Sequence, residues 1–599
     1  MIQKISFENY KAFEKGEIKL KPITILLGAN SVGKSSIINL LLMLQQTANS
    51  GTYKSALRLN GESVSMGECE NIFRHRNTSR NIFIELEFKS KGLKTLFSRS
   101  LFNDLIDPYV EQAYMSDVYI RLRSKNDHSS LRNKTIPHGN VSRHLRENDD
   151  RRQIDITHFF TSKGKIKEEI YESKESFTKM RNALDQLYQD PELNIGEVFN
   201  FYAKLIESSH STSRETIDIL YDFLSTARDL IKDDTFRLFV ELYYDKLGEQ
   251  GKTLKTKRIK IQQGTHVILE ISLGSGKAQP ISIKTGLLPK GELQEILDRK
   301  AQNELSKLTS YESTIFSWFS HFKNQGDFLP DLKRGSYSVT TKIISRIIEE
   351  ALSSVRSNFT HESVNHISPL RAHPRRFYFL DKANINTVLD TLDGNSLAEV
   401  LKENYTVKES VNSWLSRFGL KVDVSTIQDV VHQLKIHQHT LDLDITDVGF
   451  GISQILPIIV QGFLSFKDSL TMVEQPEIHL HPKMQADLAD LFIDIISGNA
   501  TFSKRDKNKQ ANFQKHLLIE THSEYLLKRL MRRINEGVIS SDQVAIYFIE
   551  PPKKEGDPSL IVEKEISKEG GFEWPKDFYE GEIKLDEHNF IKQLFVTRK

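Results

Sequence analysis

Gly28-Ala29-Asn30-Ser31-Val32-Gly33-Lys34-Ser35 is the stretch on which the fold of this chain turns. Two glycines bracket a turn, and a lysine and a hydroxyl follow at once. Such a turn aims successive backbone N–H groups inward and makes an anion nest at a helix N-terminus. Lys34 then reaches the β- and γ-phosphates of a nucleotide, and the Ser35 hydroxyl offers Mg²⁺ a ligand. A chance match in 599 residues has a probability of roughly 2% at average residue usage. The flanks sharpen the reading: Ile23 to Leu27 is a short apolar run that reads as a buried strand, and Ser35 to Leu44 is an apolar helical run. The pattern predicts an α/β fold with a P-loop made by Gly28, Ala29, Asn30, Ser31, Val32, Gly33, Lys34, Ser35 and Ser36, taking ATP and Mg²⁺. A plain glycine turn is the alternative.

Far along the chain a second apolar strand, Leu470-Thr471-Met472-Val473, ends in Glu474-Gln475-Pro476-Glu477-Ile478-His479-Leu480-His481-Pro482. Buried strands that end in carboxylates are how P-loop enzymes hold the Mg²⁺ shell, so Glu474 joins Ser35 as a candidate for the metal. Pro482 suits the first turn of a helix whose Leu488, Leu491, Phe492 and Ile495 share a face. His479 and His481 also permit a zinc reading. A third strand, Leu517-Leu518-Ile519-Glu520, runs into the polar turn Thr521-His522-Ser523. About twenty residues ahead of the Glu474 strand end, Asp447-Val448-Gly449-Phe450-Gly451-Ile452-Ser453-Gln454 joins a glycine-rich loop to an apolar run. There a glycine permits close approach and the following helix dipole favours an anion.

Taken in order, these strings resemble the ABC-type heads of OLD-like, SMC and RecF ATPases over about 1–90 and 362–599. Phe7-Glu8-Asn9-Tyr10-Lys11-Ala12-Phe13 is similar to the N-terminal segment of SMC and RecF heads. Glu474 to Pro482 resembles the Walker B and D-loop of OLD-like proteins. Asp447 to Gln454 resembles a degenerate signature loop, and His522 the switch histidine that senses the γ-phosphate. The resemblance implies a split ABC-type P-loop head that dimerises head to head. In such a dimer Gly449, Gly451 and Ser453 of one chain face the phosphate bound by the other. The commoner pattern has Asp-Glu before the proline. Here Gln475 can orient water but cannot take its proton, which leaves Glu477 as a substitute base and implies slow hydrolysis with Glu474, Gln475, Glu477 and His522 as the catalytic set.

Ser368-Pro369-Leu370-Arg371-Ala372-His373-Pro374, Asp393-Gly394-Asn395 and Trp574-Pro575 resemble one OLD-like subgroup. It includes the anti-phage Septu ATPase subunit PtuA, which also occurs with certain retrons and works with a separate HNH nuclease. That resemblance implies an antiviral ATPase subunit with a nuclease partner. A TOPRIM nuclease like that of OLD proteins is not expected, because no convincing Asp-x-Asp follows Arg533. His138, Asn140 and His144 sit in a polar run without the pattern of an HNH fold. His432, His437 and His439 read as ordinary strand histidines. Two rival readings stay open: a chromosome-handling or repair clamp that needs no nuclease, and a self-contained nuclease with a metal site in 90–360.

Composition agrees with an ordinary globular chain: 38% hydrophobic, 27% charged and a formal net charge of +2. No apolar run approaches the ~18–20 residues that span a bilayer, and the opening MIQKISFENY lacks the features of a secretory signal. Cys69, the single cysteine, excludes an internal disulfide. These features predict a cytoplasmic protein without a membrane partner. Basic groups gather at Arg121, Arg123, Lys125, Arg132, Lys134, Arg143, Arg146, Arg151 and Arg152, and again at Lys504, Arg505, Lys507, Lys509 and Lys515. Each cluster reads either as a solvated loop or as a nucleic-acid phosphate contact. The expected organisation is 1–90 as the N-terminal half of the head, 91–361 as a mainly helical insertion carrying some β structure, with a polar loop at about 124–155, and 362–599 as the C-terminal half and tail. Within the insertion, 165–250 reads as mainly helical, and 292–322 and 341–356 as helices.

Overall fold

The structure, a computed structural model, describes residues 2–50, 55–96, 219, 222–223, 225–227, 229–246, 252–272, 282–288, 314–316, 339–379, 389, 395–428, 431–497 and 515–574. The basic run 120–152, Lys504 to Lys509, His138, Asn140, His144, Asp393, Gly394 and Pro575 lie outside them. Two compact units divide the chain. The first takes Met1–Phe88, Phe239–Lys255 and Val355–Lys599, and the second Lys89–Leu238 and Thr256–Ser354. Residues 239–255, which lie inside the stretch read from sequence as an insertion, thus belong to the first unit.

In chain order the described elements begin with β1 (Ile2–Tyr10), β2 (Phe13–Lys19), β3 (Ile23–Gly28), α1 (Lys34–Ala48), β4 (Ile82–Lys89) and α2 (Lys91–Leu96). Next come β5 (Thr235–Asp245), β6 (Thr253–Gln263), β7 (His266–Ser272), β8 (Ser282–Lys284) and α3 (Val339–Arg356). The chain continues through β9 (Val364–Ile367), β10 (Tyr378–Phe379), α4 (Asn395–Glu403), α5 (Tyr405–Leu415), β11 (Leu420–Gln428), β12 (Val431–Gln438) and β13 (Leu441–Asp444). It closes with α6 (Phe450–Leu464), β14 (Leu470–Glu474), α7 (Pro482–Ser497), β15 (His516–Glu520), α8 (Glu524–Asn535), β16 (Val544–Glu550) and β17 (Leu560–Lys564).

In the first unit six strands lie in the order β17-β16-β3-β15-β14-β9. All neighbours are parallel except β17, which runs antiparallel on β16. Their sequences explain this: ITILLG, LTMVE and VAIYFIE are near-continuous apolar runs, as strands covered on both faces require. Residues of β3, β14, β15 and β16 join α4 to α8 in one core that includes Ile25, Leu27, Val473, Phe492, Ile519, Leu527 and Ile546. Parallel order brings the carboxyl ends of β3, β15 and β14 to one crest, where ligands of open α/β sheets bind. In the same unit β1 pairs antiparallel with β2 and β4. Its partner β4 alternates buried and partly exposed residues, the pattern of a sheet covered on one face. A further antiparallel sheet has the order β10-β12-β11, with β13 on β12.

In the second unit β7 pairs antiparallel with β6 and β8, and α3 occupies the helical stretch read at 341–356. The reading of 165–250 as mainly helical fails over β5. There Phe236, Leu238, Val240 and Leu242 are buried at every second position, and a period of two belongs to a strand.

Lys515 does not behave as a member of a solvated basic cluster. It is buried, and its Nζ donates to Gly462 O at 2.9 Å and Phe463 O at 3.0 Å, while burial pushes its amine down to about 8. His432 is fully buried in β12, with Nδ1 3.2 Å from Thr426 Oγ1, and His437 pairs with Asp442 across the β12–β13 hairpin. No helix of the described residues is long and apolar enough to cross a membrane.

Candidate nucleotide site

The buried strand β3 delivers the chain to Gly28, and Gly33 caps the start of α1. Gly28 (φ 145°), Ser31 (φ 65°) and Gly33 (φ 111°) all take positive φ, which L side chains adopt only at a cost. Space excludes a side chain as well. A Cβ on Gly28 would lie 2.6 Å from Ile549 O, and one on Gly33 2.8 Å from Phe13 Cζ. The segment Asn9 to Phe13 therefore buttresses the loop: Phe13 fills the space beside Gly33, and the Tyr10 hydroxyl donates to Ser36 O at 3.0 Å. Ala29, Asn30, Ser31 and Ser35 are exposed, whereas Val32 and Lys34 are buried.

Lys34 Nζ donates to Gly28 O at 3.0 Å and Ala29 O at 2.8 Å, and lies 3.7 Å from Glu520 Oε1. Burial lowers its affinity for the proton, and the Glu520 and Glu477 carboxylates oppose this. Ser35 Oγ donates to Glu520 Oε2 at 3.1 Å. Burial raises the Glu520 carboxyl above the usual carboxylate range, with Lys34 opposing.

Glu474, the last residue of β14, is buried and accepts from His366 Nε2 at 2.7 Å. Arg371 Nη2 donates to Glu474 O at 3.0 Å and Gln475 O at 3.3 Å, fixing the turn beyond the strand. Gln475 (φ 43°) and His479 (φ 62°) are left-handed there, strain of the kind that collects at functional sites. Glu477 folds back onto the end of β15, accepting from His522 N at 2.6 Å and Thr521 Oγ1 at 2.8 Å. Burial raises its carboxyl, and those hydrogen bonds oppose the rise.

His522 follows β15. Its Nε2 is buried and has no hydrogen-bond partner among the described residues, and burial, with the charge of Lys34, lowers its proton affinity. Gly449 caps α6 and is exposed, with φ −50° and nothing near its Cβ position. Gly451 starts α6 against the turn after β14, where a Cβ would lie 3.1 Å from His479 O. Ser453, two residues further on, is buried.

A family model described as an AAA ATPase domain matches residues 1–527. The chain belongs to that ATPase family. Comparison with curated proteins gives no match. Among solved structures it is similar to the SMC head domain from Thermotoga maritima, with 7% identity, a TM-score of 0.31 and coverage of 94% of this chain and 98% of that one. It is also similar to an Smc head bound to the C-winged helix domain of ScpA (9% identity, TM-score 0.32, 95% and 98% covered). A third is an Smc head domain with an extended coiled coil bound to the C-terminal domain of ScpA, derived from Pyrococcus furiosus (9%, 0.31, 94% and 96%). Likeness this distant identifies no shared chemistry.

The residues at the crest fit the nucleotide and the Mg²⁺ that the family implies. The positive-φ nest and the first turn of α1 suit phosphates, and Lys34 stands over the loop with two carbonyl partners it can exchange. His522 lies near enough to Lys34 to feel its charge, and its buried Nε2 has no partner among the described residues. Among the described residues no group of three or more His, Cys, Asp or Glu could hold a metal alone, so His479 and His481 lack the company that zinc needs. Mg²⁺ asks for less, because it keeps several waters and binds one or two carboxylates plus substrate phosphates.

The sequence motifs assign no role to Glu520, His366 or Arg371. Glu520 carried a usable signal: LLIE is an apolar strand ending in an acid, the same pattern that marked LTMVE. His366 and Arg371 carried none.

Proposed function

We propose that this chain is a slow, Mg²⁺-dependent ATPase that pairs head to head with a second copy around bound ATP. In the cytoplasm of a bacterium the ATP-gated dimer controls a separate HNH-type nuclease in defence against phage. Each composite site uses Gly28 to Ser36, Glu474 and His522 of one chain and Gly449, Gly451 and Ser453 of the other. ATP binds with Mg²⁺ at Ser35, Lys34 turns to the phosphates, and His522 Nε2 meets the γ-phosphate. Loss of that phosphate removes the charge that holds the halves together.

The convergence of Lys34, Ser35 and Glu520 with the unpartnered His522 Nε2 carries this reading. Gly449 is compatible with the dimer: it is exposed at the N-cap of α6, and nothing among the described residues crowds its Cβ position, which leaves room for a close approach by a second copy. Slow turnover follows from Gln475, and Glu477 already has both oxygens engaged by Thr521 and His522.

Native mass measurement tests the assembly. With ATP and Mg²⁺ the parent chain should double in mass, and a Lys34→Ala variant should not. A parent that binds ATP and remains single would sink the dimer. An HNH protein from the same genomic neighbourhood should co-purify with the chain, and its failure to bind would remove the nuclease from the proposal.

A further inference from the structure

We propose that Glu520 is the carboxylate that supports Mg²⁺ beside Ser35, a role that rests on the ATPase reading and reaches past it to an acid outside the Glu474 strand. Sheet order is the first ground. β15 lies directly between β3 and β14, with Glu520 in register with Leu26 on one side and Glu474 on the other. Both strands thus present a glutamate at the crest, and Glu520 is the one on the strand next to the P-loop.

Contacts are the second ground. Glu520 Oε2 accepts from Ser35 Oγ at 3.1 Å, and Oε1 lies 3.7 Å from Lys34 Nζ. Glu474 turns the other way: its Oε1 accepts from His366 Nε2 at 2.7 Å, and His366 belongs to β9, on the side of β14 away from β15. Of the two acids, the one that touches the P-loop hydroxyl is Glu520.

Charge balance is the third. Glu520 is 4% exposed, and a buried carboxylate needs a cation. Lys34 fills that need while its ammonium rests on the loop carbonyls. When ATP draws the ammonium to the β- and γ-phosphates, Glu520 loses its counter-charge, and a divalent cation at Ser35 restores it. An oxygen donor, a carboxylate and phosphate oxygens make a set that suits Mg²⁺ with its retained waters.

Fluorescence of a mant-labelled ATP analogue bound to the full chain, titrated with Mg²⁺, reads this without turnover. In the parent, Mg²⁺ should tighten analogue binding. In Glu520→Gln the Mg²⁺ needed for half of that tightening should rise about 10–100-fold, the usual cost of losing a partner around a metal. Affinity in EDTA should hold or improve, and Glu474→Gln should raise the requirement less. If Glu520→Gln weakens Mg²⁺-free binding and leaves the Mg²⁺ requirement unchanged, the residue serves Lys34 alone and the proposal falls. Should that variant lose its thermal transition, Glu520→Asp, which keeps the charge one methylene further back, must raise the requirement, and an unchanged value overturns the idea. A parent that binds no analogue with or without Mg²⁺ would overturn the ATPase reading and this one with it.

Discussion

Gln475 is pinned on both sides, its N–H donating to Glu520 O at 2.7 Å and its carbonyl accepting from Arg371. A glutamine so fixed can hold a water but cannot deprotonate it. General bases contribute about 10²–10⁴-fold to such steps. Gln475→Glu should therefore raise steady-state ATP hydrolysis, by about 10²-fold where the turn accepts the charge, and an unchanged rate would show that the proton goes elsewhere. His516, at the start of β15, makes a separate point. Its Nδ1 is buried without a partner among the described residues, and burial pushes its pKa down to about 4, with Asp468 opposing. The folded chain keeps this ring neutral while the unfolded chain takes up a proton near 6.5. Stability from this residue is therefore full above about pH 6.5 and falls as the pH drops toward 4, by up to about 3 kcal/mol. The Tm difference between pH 7 and pH 5 should shrink in His516→Gln, and an equal difference would remove His516 as its source.

α7 and α8 illustrate the scale of elements, since one follows the turn after β14 and the other the turn that carries His522. Their contact is electrostatic at its centre. Asp490, 2% exposed, accepts from Arg533 Nε at 2.6 Å and from Arg529 Nη2 at 2.9 Å. Burial resists ionisation of Asp490, yet the two guanidiniums outweigh it and hold the carboxyl below its usual range. At the helix starts, Ser523 Oγ donates to Gln485 Oε1 at 2.8 Å and Gln485 Nε2 to Leu480 O at 3.0 Å, tying one turn to the other. Asp490→Ala leaves Arg529 with Asp487 and Arg533 with Glu536 but empties the buried acceptor between them, and should cost about 1–3 kcal/mol, seen as a drop in Tm; a parent-like melt would show that the pair adds nothing net. This scale also separates what the sequence discloses from what it withholds. The P-loop, Glu474 and His522 are legible because each belongs to a contiguous string with a local pattern. Glu520 meets Ser35 across 485 positions, and only the insertion of β15 between β3 and β14 brings them together. His366 and Arg371 likewise reach the β14 turn through β9, and no local spacing encodes that neighbour. β5 is a different case: Phe236, Leu238, Val240 and Leu242 alternate inward, but Phe239 and Tyr243 on the other face blur the period of two in the sequence.

At the scale of the molecule, the family match and the crest of one sheet account for the chain as an ATPase. Lys11 N donates to Ile72 O at 2.9 Å, so the buttress of the P-loop rests in turn on the short segment that follows Cys69. That cysteine is buried and unpaired, and burial, then Glu70, pushes its thiol up to about 12. Alkylating reagents can therefore meet it only when this corner opens, and a chain with one thiol gives one unambiguous signal. The labelling rate becomes a built-in gauge of local opening. Nucleotide that binds only the closed form should slow the reagent in proportion to its free concentration over Kd, by about 100-fold at a hundred times Kd. Occupancy of the site can thus be read by mass spectrometry, with no label on the nucleotide and no phosphate released.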